Sequence, residues 1–436
     1  MILLFNTLML FVLLIAFPVI LPLVLTSEKR RKTVLQRMGF GQFPKQKSKK
    51  RGSTETKQPV WVHALSVGET FSSIELVKTL RKKFNQRKIY FSVSTATGFD
   101  EAKKRLAPET DHIFFYPYDL VFVVKKIIRR VSPSLFVLVE SDLWPTFLLE
   151  LKKRNVPSVL VNARLSSESF AGYKKFSMIM MPVLNTFEKI CVQSEEQGRR
   201  FMQIGVKPDK ICVTGNLKFD QKRETVSPAN RVSMKRALAI SENSKVFLAG
   251  STHPGEEKML LESFKLLKSE FPELVMIIAP RNPERADEIC GMVMGSGLTA
   301  AKMGLQETCA PEVIVVNTMG ILGRLYAIAD IAFVGGSLVN FGGHNPLEPA
   351  IFAKPILFGV YMSDFPEISQ MLLRAKGAVQ VKNPEDLYHR VRDLLTDPAK
   401  GEIIGNHAFE VFQANQGAVE KTAAVIKQID RYFHEQ

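Results

Sequence analysis

From Pro59 onward the chain alternates short apolar runs with longer stretches in which apolar residues recur at helical spacing. The apolar runs fall at 60–64, 89–94, 113–116, 135–140, 158–162, 190–192 and 211–214. Between the first two, Ile74, Val77, Leu80 and Phe84 repeat with helix spacing, and Leu148, Leu149 and Leu151 do so more loosely. Short buried strands separated by helices predict a parallel, doubly wound sheet. Residues 221–244 are polar, contain Pro228 and carry no strand signal, which predicts a linker. The pattern restarts at 246–249, 274–279, 313–316, 331–334, 355–358 and 378–381, and a helical tail runs over 407–433. The expected organisation is therefore α/β, with two Rossmann-like doubly wound domains at 59–220 and 245–436, the last helix included in the second. Domains of this kind in tandem place a ligand cleft between them, at the carboxyl ends of the strands.

Charge changes the picture only at the N-terminus. Net charge is +16. Residues 1–25 carry no charged side chain, whereas Lys29 to Lys57 hold eleven Lys/Arg against the single acid Glu55. The first stretch is long enough to span a bilayer, and cations on its C-terminal side place the body of the protein in the cytoplasm by the positive-inside rule. Pro18 and Pro22 leave open an anchor lying in the interface. The expectation is a membrane anchor at 1–25 and a basic neck at 26–58, facing anionic inner-membrane lipids rather than nucleic acid. Cys191, Cys212, Cys290 and Cys309 form no Cys-x-x-Cys pair, and the histidines form no cluster with metal-ligand spacing. Free thiols and no bound metal are expected.

The candidate chemistry lies at strand ends. The run at 331–334 leads into Gly335-Gly336-Ser337 and then Gly342-Gly343-His344-Asn345-Pro346-Leu347-Glu348-Pro349. Asn345 is a good N-cap and Pro346 suits a first helical position, so a strand, a glycine loop and a helix N-terminus are expected in succession. That arrangement receives phosphate through free N–H groups and the helix dipole, with Glu348 facing ribose hydroxyls. Asn345-x-x-Glu348 also has the spacing of a capping box. In the same domain Ser251, Pro280-Arg281 and Met319-Gly320 follow other strands, and Arg281 can neutralise a phosphate without a metal. No Walker loop is present and no Gly-x-Gly-x-x-Gly follows a strand, which argues against an ATPase and a dehydrogenase.

In the first domain His63-Ala64-Leu65-Ser66-Val67-Gly68-Glu69 ends a strand and opens a helix. The helix dipole and nearby N–H groups are expected to keep Glu69 ionised, as a general base requires. Ser66-x-x-Glu69 is equally a capping box. Glu140 and Asp142 end the fourth strand; Asp142 either meets an acceptor or caps the helix near Pro145. Arg164 either holds an anion or makes a surface ion pair.

With these residues assembled, the chain resembles the Kdo transferases, which move 3-deoxy-D-manno-octulosonic acid from CMP-Kdo onto a lipid A precursor. His-Ala-Leu-Ser-Val-Gly-Glu (63–69), Asn-Ala-Arg-Leu-Ser (162–166), Gly-Asn-Leu-Lys-Phe-Asp (215–220) and Gly-Gly-His-Asn-Pro-Leu-Glu-Pro (342–349) carry the resemblance, in this order. It implies a GT-B fold, an acceptor domain first and a donor domain second. It also implies Glu69 as general base, and Pro280, Arg281, Met319, Gly320, Ile321 and Asn345 to Glu348 as contacts to CMP. Ser251 and Gly336 join this donor set; His63, Ser66, Glu140, Asp142 and Arg164 form the acceptor set. Relatives commonly carry Glu where this chain has Ile321, and Glu where it has Asp142. The implied reaction is metal-independent, needs no cofactor and inverts the Kdo configuration. A transferase using another nucleotide sugar, or a membrane-anchored nucleotide-binding protein without activity, remains the rival reading.

Overall fold

The computed structural model describes residues 26, 28–40, 43–44, 58–140, 142–221, 226–304 and 311–434. The expected anchor at 1–25 and most of the basic neck lie outside them. Among the described residues no helix is long and apolar enough to cross a membrane. The chain forms two compact units, one running to Gln221 and taking back the chain from Gln416, the other lying between.

The first unit is built on β1 (Val60–Ala64), β2 (Ile89–Val93), β3 (His112–Phe115), β4 (Leu135–Val139), β5 (Ser158–Ala163), β6 (Lys189–Val192) and β7 (Ile211–Val213). They pair in the order β3-β2-β1-β4-β5-β6-β7, all parallel. Every residue of β1, β2, β4 and β5 is buried, because helices cover both faces of the sheet. The two-residue alternation of a strand splits the core in two. Trp61 and Phe136 point to one face with Phe147 and Leu148, whereas Val60, Val62, Leu135 and Val137 point to the other with Leu76, Val77 and Leu80.

The last helix (Ala418–His434) closes this second face, with Ala418, Val419, Ala423, Ile426 and Ile429 packed in the same core. This corrects the expectation that it belongs to the second domain. The two carboxylate oxygens of Asp220 accept the N–H groups of Gly417 and Val419, and Arg87 pairs with Asp430. A helical apolar pattern does not say which sheet the helix will cover; these polar clasps decide it.

The second unit carries β8 (Val246–Thr252), β9 (Val275–Pro280), β10 (Ala300–Lys302), β11 (Val313–Val315), β12 (Ile331–Val334), β13 (Ile356–Phe358) and β14 (Ala378–Gln380), ordered β10-β11-β9-β8-β12-β13-β14 and again parallel. The strand β10 has the sequence Ala-Ala-Lys, too short and too weakly apolar to be predicted. The expected linker contains a helix, Pro228–Ala237, with Ser227 accepting the Asn230 N–H at 3.2 Å. In each sheet the strand order reverses once beside the first strand, between β1 and β4 and between β8 and β12. Those switch points leave a crevice at the carboxyl ends of the strands.

Candidate active site

At the first switch point three carboxyl groups converge. Glu69 sits in the first turn of helix Val67–Lys83, directly after β1. Glu140 follows β4 with φ at +60°, a left-handed conformation unusual for a glutamate. Burial pushes Glu69 up to about 8, and the charges of Glu140 and Asp142 add to the effect. Hydrogen bonds from the Leu65 and Ser66 backbones oppose it and are outweighed. The expectation that the helix start keeps Glu69 ionised is therefore corrected: desolvation and neighbouring carboxylates dominate, and the group holds its proton at neutral pH. The capping alternative is half met. Glu69 accepts the Leu65 N–H, but the Ser66 side chain makes no cap bond.

The cluster is held from β5. Asn162 sits at a register shift between β5 and β6 with φ at +55°. Such a bulge re-aims a side chain. The Asn162 amide donates to Glu140 at 3.3 Å and its oxygen accepts the Leu217 N–H at 3.0 Å. Gln193 ties in by donating to the Asn162 carbonyl at 3.0 Å and accepting from Asn216 at 3.0 Å. The motifs at 162–166 and 215–220 thus meet behind Glu140, and Lys218 approaches its carboxylate at 4.0 Å.

Asp142 does not cap the following helix. Asp119 does, accepting the N–H groups of Thr146 and Phe147 at 2.9 and 2.8 Å. Asp142 accepts the Trp144 indole N–H at 2.8 Å; burial raises its pKa, and Arg37 pulls it back down. Arg37, in the basic neck, was not foreseen. It donates to the Tyr116 carbonyl at 3.0 Å and stacks over the Tyr118 ring at 4.2 Å. His63 belongs to the core rather than to the acceptor surface. It is fully buried, stacked on Tyr116 at 3.8 Å between centroids, with Nδ1 3.0 Å from the Ser92 hydroxyl and carbonyl oxygens, and burial drives it down to about 3. Arg164 is half-buried.

At the second switch point the glycine loop differs from expectation in one decisive respect. Its N–H groups are already taken. Glu256, fully buried at the start of helix Glu256–Glu270, accepts from Gly336 (2.7 Å), Ser337 (2.9 Å), Leu338 (2.9 Å) and His253 (3.0 Å). Two acids opening a helix look like ordinary dipole partners in a sequence, which hides this role. Gly335 donates to the Gly250 carbonyl at 2.8 Å, and a Cβ there would lie 2.5 Å from the Ser251 oxygen, so only glycine fits. Ser251 has φ at +59°, at the register shift of β8.

The predicted helix after the loop is one turn, Leu347–Ala350, with Pro346 as its cap. Asn345 accepts the Leu347 N–H at 3.1 Å. Glu348 feels Arg281 as its one attractive charge; burial still raises it to about 7. His253 and His344 stack, their Nε2 atoms 2.8 Å apart, and Phe341 covers the other side of His253 at 4.2 Å. Burial, Arg281 and His253 together push His344 down to about 4. The pair is thus neutral, one ring donating to the other, and Arg281 supplies the positive charge. The structure gathers Arg281, Glu348, His253, His344 and Gly336. Met319 is exposed, Gly320 takes φ at +87°, and Ile321 lines an apolar groove of about 710 Å³ with Met234, Met303 and Leu325. An isoleucine suits that groove better than a glutamate.

Two seven-stranded parallel sheets with polar clusters at both switch points define a two-domain α/β architecture found among glycosyltransferases. A glycosyltransferase from Rickettsia africae has it, with a TM-score of 0.60 over 87% of this chain and 99% of that one at 15% identity. A family model described as 3-deoxy-D-manno-octulosonic-acid transferase (kdotransferase) matches residues 32–221. The 3-deoxy-D-manno-octulosonic acid transferase of Haemophilus influenzae is 32% identical over 404 residues, 92% of each chain. That of Rickettsia felis is 30% identical over 371 residues, 84% of this chain and 78% of its own. The chain belongs to the 3-deoxy-D-manno-octulosonic acid (Kdo) transferase family and is a glycosyltransferase.

Proposed function

We propose that the chain transfers Kdo from CMP-Kdo to a hydroxyl of a lipid A precursor, with inversion, in the synthesis of lipopolysaccharide. Family membership supports Kdo transfer. The observation that carries the mechanism is the Glu69 carboxyl group, raised to about 8 beside Glu140 and Asp142 at the first switch point. Once ionised, a carboxylate of that basicity is a strong base toward an alcohol. It takes the hydroxyl proton as the oxygen attacks the anomeric carbon of Kdo; the bond to the CMP phosphate breaks, and CMP leaves with the electron pair. Arg281 stabilises the departing phosphate, and Glu348 accepts from the ribose hydroxyls. With a guanidinium in that place, the step runs without a metal ion. The uncharged residues 1–25 and the neck hold the enzyme at the cytoplasmic face of the inner membrane, where an anionic lipid acceptor lies.

The test is transfer to tetraacyl lipid A precursor by purified protein with CMP-Kdo formed in situ, followed by mass spectrometry. Mass gains in Kdo steps are expected, and their number counts the sugars added. Absence of any gain from folded, CMP-binding protein would sink the acceptor assignment.

A further inference from the structure

One face of the first unit carries apolar side chains that nothing in the fold covers. Helix Ser177–Leu184 reads Ser-Met-Ile-Met-Met-Pro-Val-Leu yet buries only Val183 and Leu184; Met178 is 86% exposed, with Ile179 and Met181 also in water. Helix Ser167–Lys175, joined to it by the exposed Phe176, buries nothing. Phe122 and Phe40 are exposed too, Phe40 to 72%. These residues share a face. The turn Gln36–Phe40 packs on helix Val121–Val131, that on helix Pro145–Lys153, and that on helix Ser177–Leu184. The last three lie over the core of Trp61 and Phe136.

The same face is cationic. Lys125, Lys126, Lys152, Lys153, Lys174 and Lys175 are exposed on it, whereas Glu150 pairs with Arg154. Lysines reach over the rings: Lys126 Nζ lies 4.7 Å above Phe40 and Lys175 Nζ 5.8 Å from Phe176. Exposed aromatic and aliphatic groups fringed by lysine suit the interface of an anionic bilayer, with rings among acyl chains and ammonium groups at phosphates. The chain itself leads there. The uncharged residues 1–25 precede Glu28–Leu35 by two residues, and that segment runs on into Phe40.

We infer that this face, and helix Ser177–Leu184 above all, is a second membrane contact that seats the first unit on anionic lipid. The inference deepens the reading of a lipid acceptor and rests on it. Phe122 opens the helix after β3, so it lies at the carboxyl edge of the sheet, the edge that carries Glu69 and Glu140. A headgroup at this rim is presented to the acidic cluster without leaving the bilayer.

The test uses the full chain in phosphatidylglycerol vesicles containing brominated acyl chains. A tryptophan in Met178→Trp is expected to be quenched beyond the wild-type background, and one in Lys104→Trp, on the opposite face, is not. Equal behaviour of the two would overturn the inference, as would shielding that disappears on dilution and so marks a second copy of the chain. Lys174→Ala with Lys175→Ala is expected to raise the apparent KM for vesicle-borne acceptor by about fivefold per lysine, and to leave the KM for detergent-dispersed acceptor unchanged. Quenching does not need catalysis, so loss of Kdo transfer in the wild type would sink the proposed reaction and leave this contact standing.

Discussion

Glu256 accepts the N–H of Gly336 at 2.7 Å, so the glycine loop that looks built for a phosphate closes on a carboxylate of its own chain. The loop is shaped before any donor arrives. What remains for an anion at this switch point is the Arg281 guanidinium. Glu256→Ala strips four backbone donors of their partner, and the loop loses its form. The expected cost is about 3 kcal/mol of stability in the second unit, together with at least a tenfold loss of CMP affinity. Glu256→Gln can accept fewer of these bonds and should fall between. Thermal melts and calorimetric CMP titrations measure both; an Ala variant with wild-type CMP affinity refutes the positioning role.

Glu69 carries a cost that its chemistry requires. Its pKa is raised by folding, from 4.5 to about 8, so the folded state prefers the protonated form. The stability tied to that proton is fully present below the unfolded value and is lost as pH rises toward 8. Glu69→Gln removes the titration. The variant should match wild type at pH 4 and exceed it at pH 8, by on the order of 2 kcal/mol once solvent access is allowed for. Transfer should be abolished in it while CMP binding persists. Near-normal turnover would refute the base assignment.

The same group sets the pH profile of the reaction. Below about pH 8 the ionised fraction of Glu69 rises tenfold per unit, so kcat/KM should climb with pH and level off near 8. Glu140→Gln removes a neighbouring charge that raises Glu69, and the rising limb should move to lower pH. A profile flat from pH 6 to 9 in the wild type would contradict the raised base.

The strand runs were legible because parallel strands buried on both faces leave nearly unbroken apolar segments, as in Leu135–Val139 and Ile331–Val334. Strand ends were equally legible as the places where Glu69, Glu140, Arg281 and Asn345 had to lie. What stayed hidden depends on partners distant in the chain. Nothing local to Glu256 announces Gly336, eighty positions away. Nothing local to His63 tells that Tyr116 and Ser92 enclose it. Even the sign of the error at Glu69 is physical: the helix start was visible, but the desolvation that outweighs it exists only after the sheet is formed.

The return of the last helix makes a prediction about stability. Asp220 caps its start through Gly417 and Val419, and Ala418 rests against Gly215. Asp220→Ala should cost about 1–2 kcal/mol, as the loss of a cap does. Deletion from Gln416 onward is far more severe, since it uncovers Leu76, Val77 and Leu80. Hydrogen exchange should then report opening in helix Val67–Lys83 of the first unit. Exchange that rises only in the second unit would refute the packing.

Arg281 tests the donor side. His253 and His344 share one hydrogen bond and the burial of His344 keeps the pair uncharged, so neither ring replaces a guanidinium. Arg281→Ala should lower kcat by at least about a hundredfold, because a donor aimed at the leaving phosphate acts mainly in the transition state. Arg281→Lys keeps the charge without the planar fork and should recover only part of the rate. Transfer should also persist in excess EDTA if Arg281 alone meets the phosphate charge. Loss of activity in the chelator, restored by a divalent cation, would assign that charge to a metal and reduce Arg281 to a positioning role.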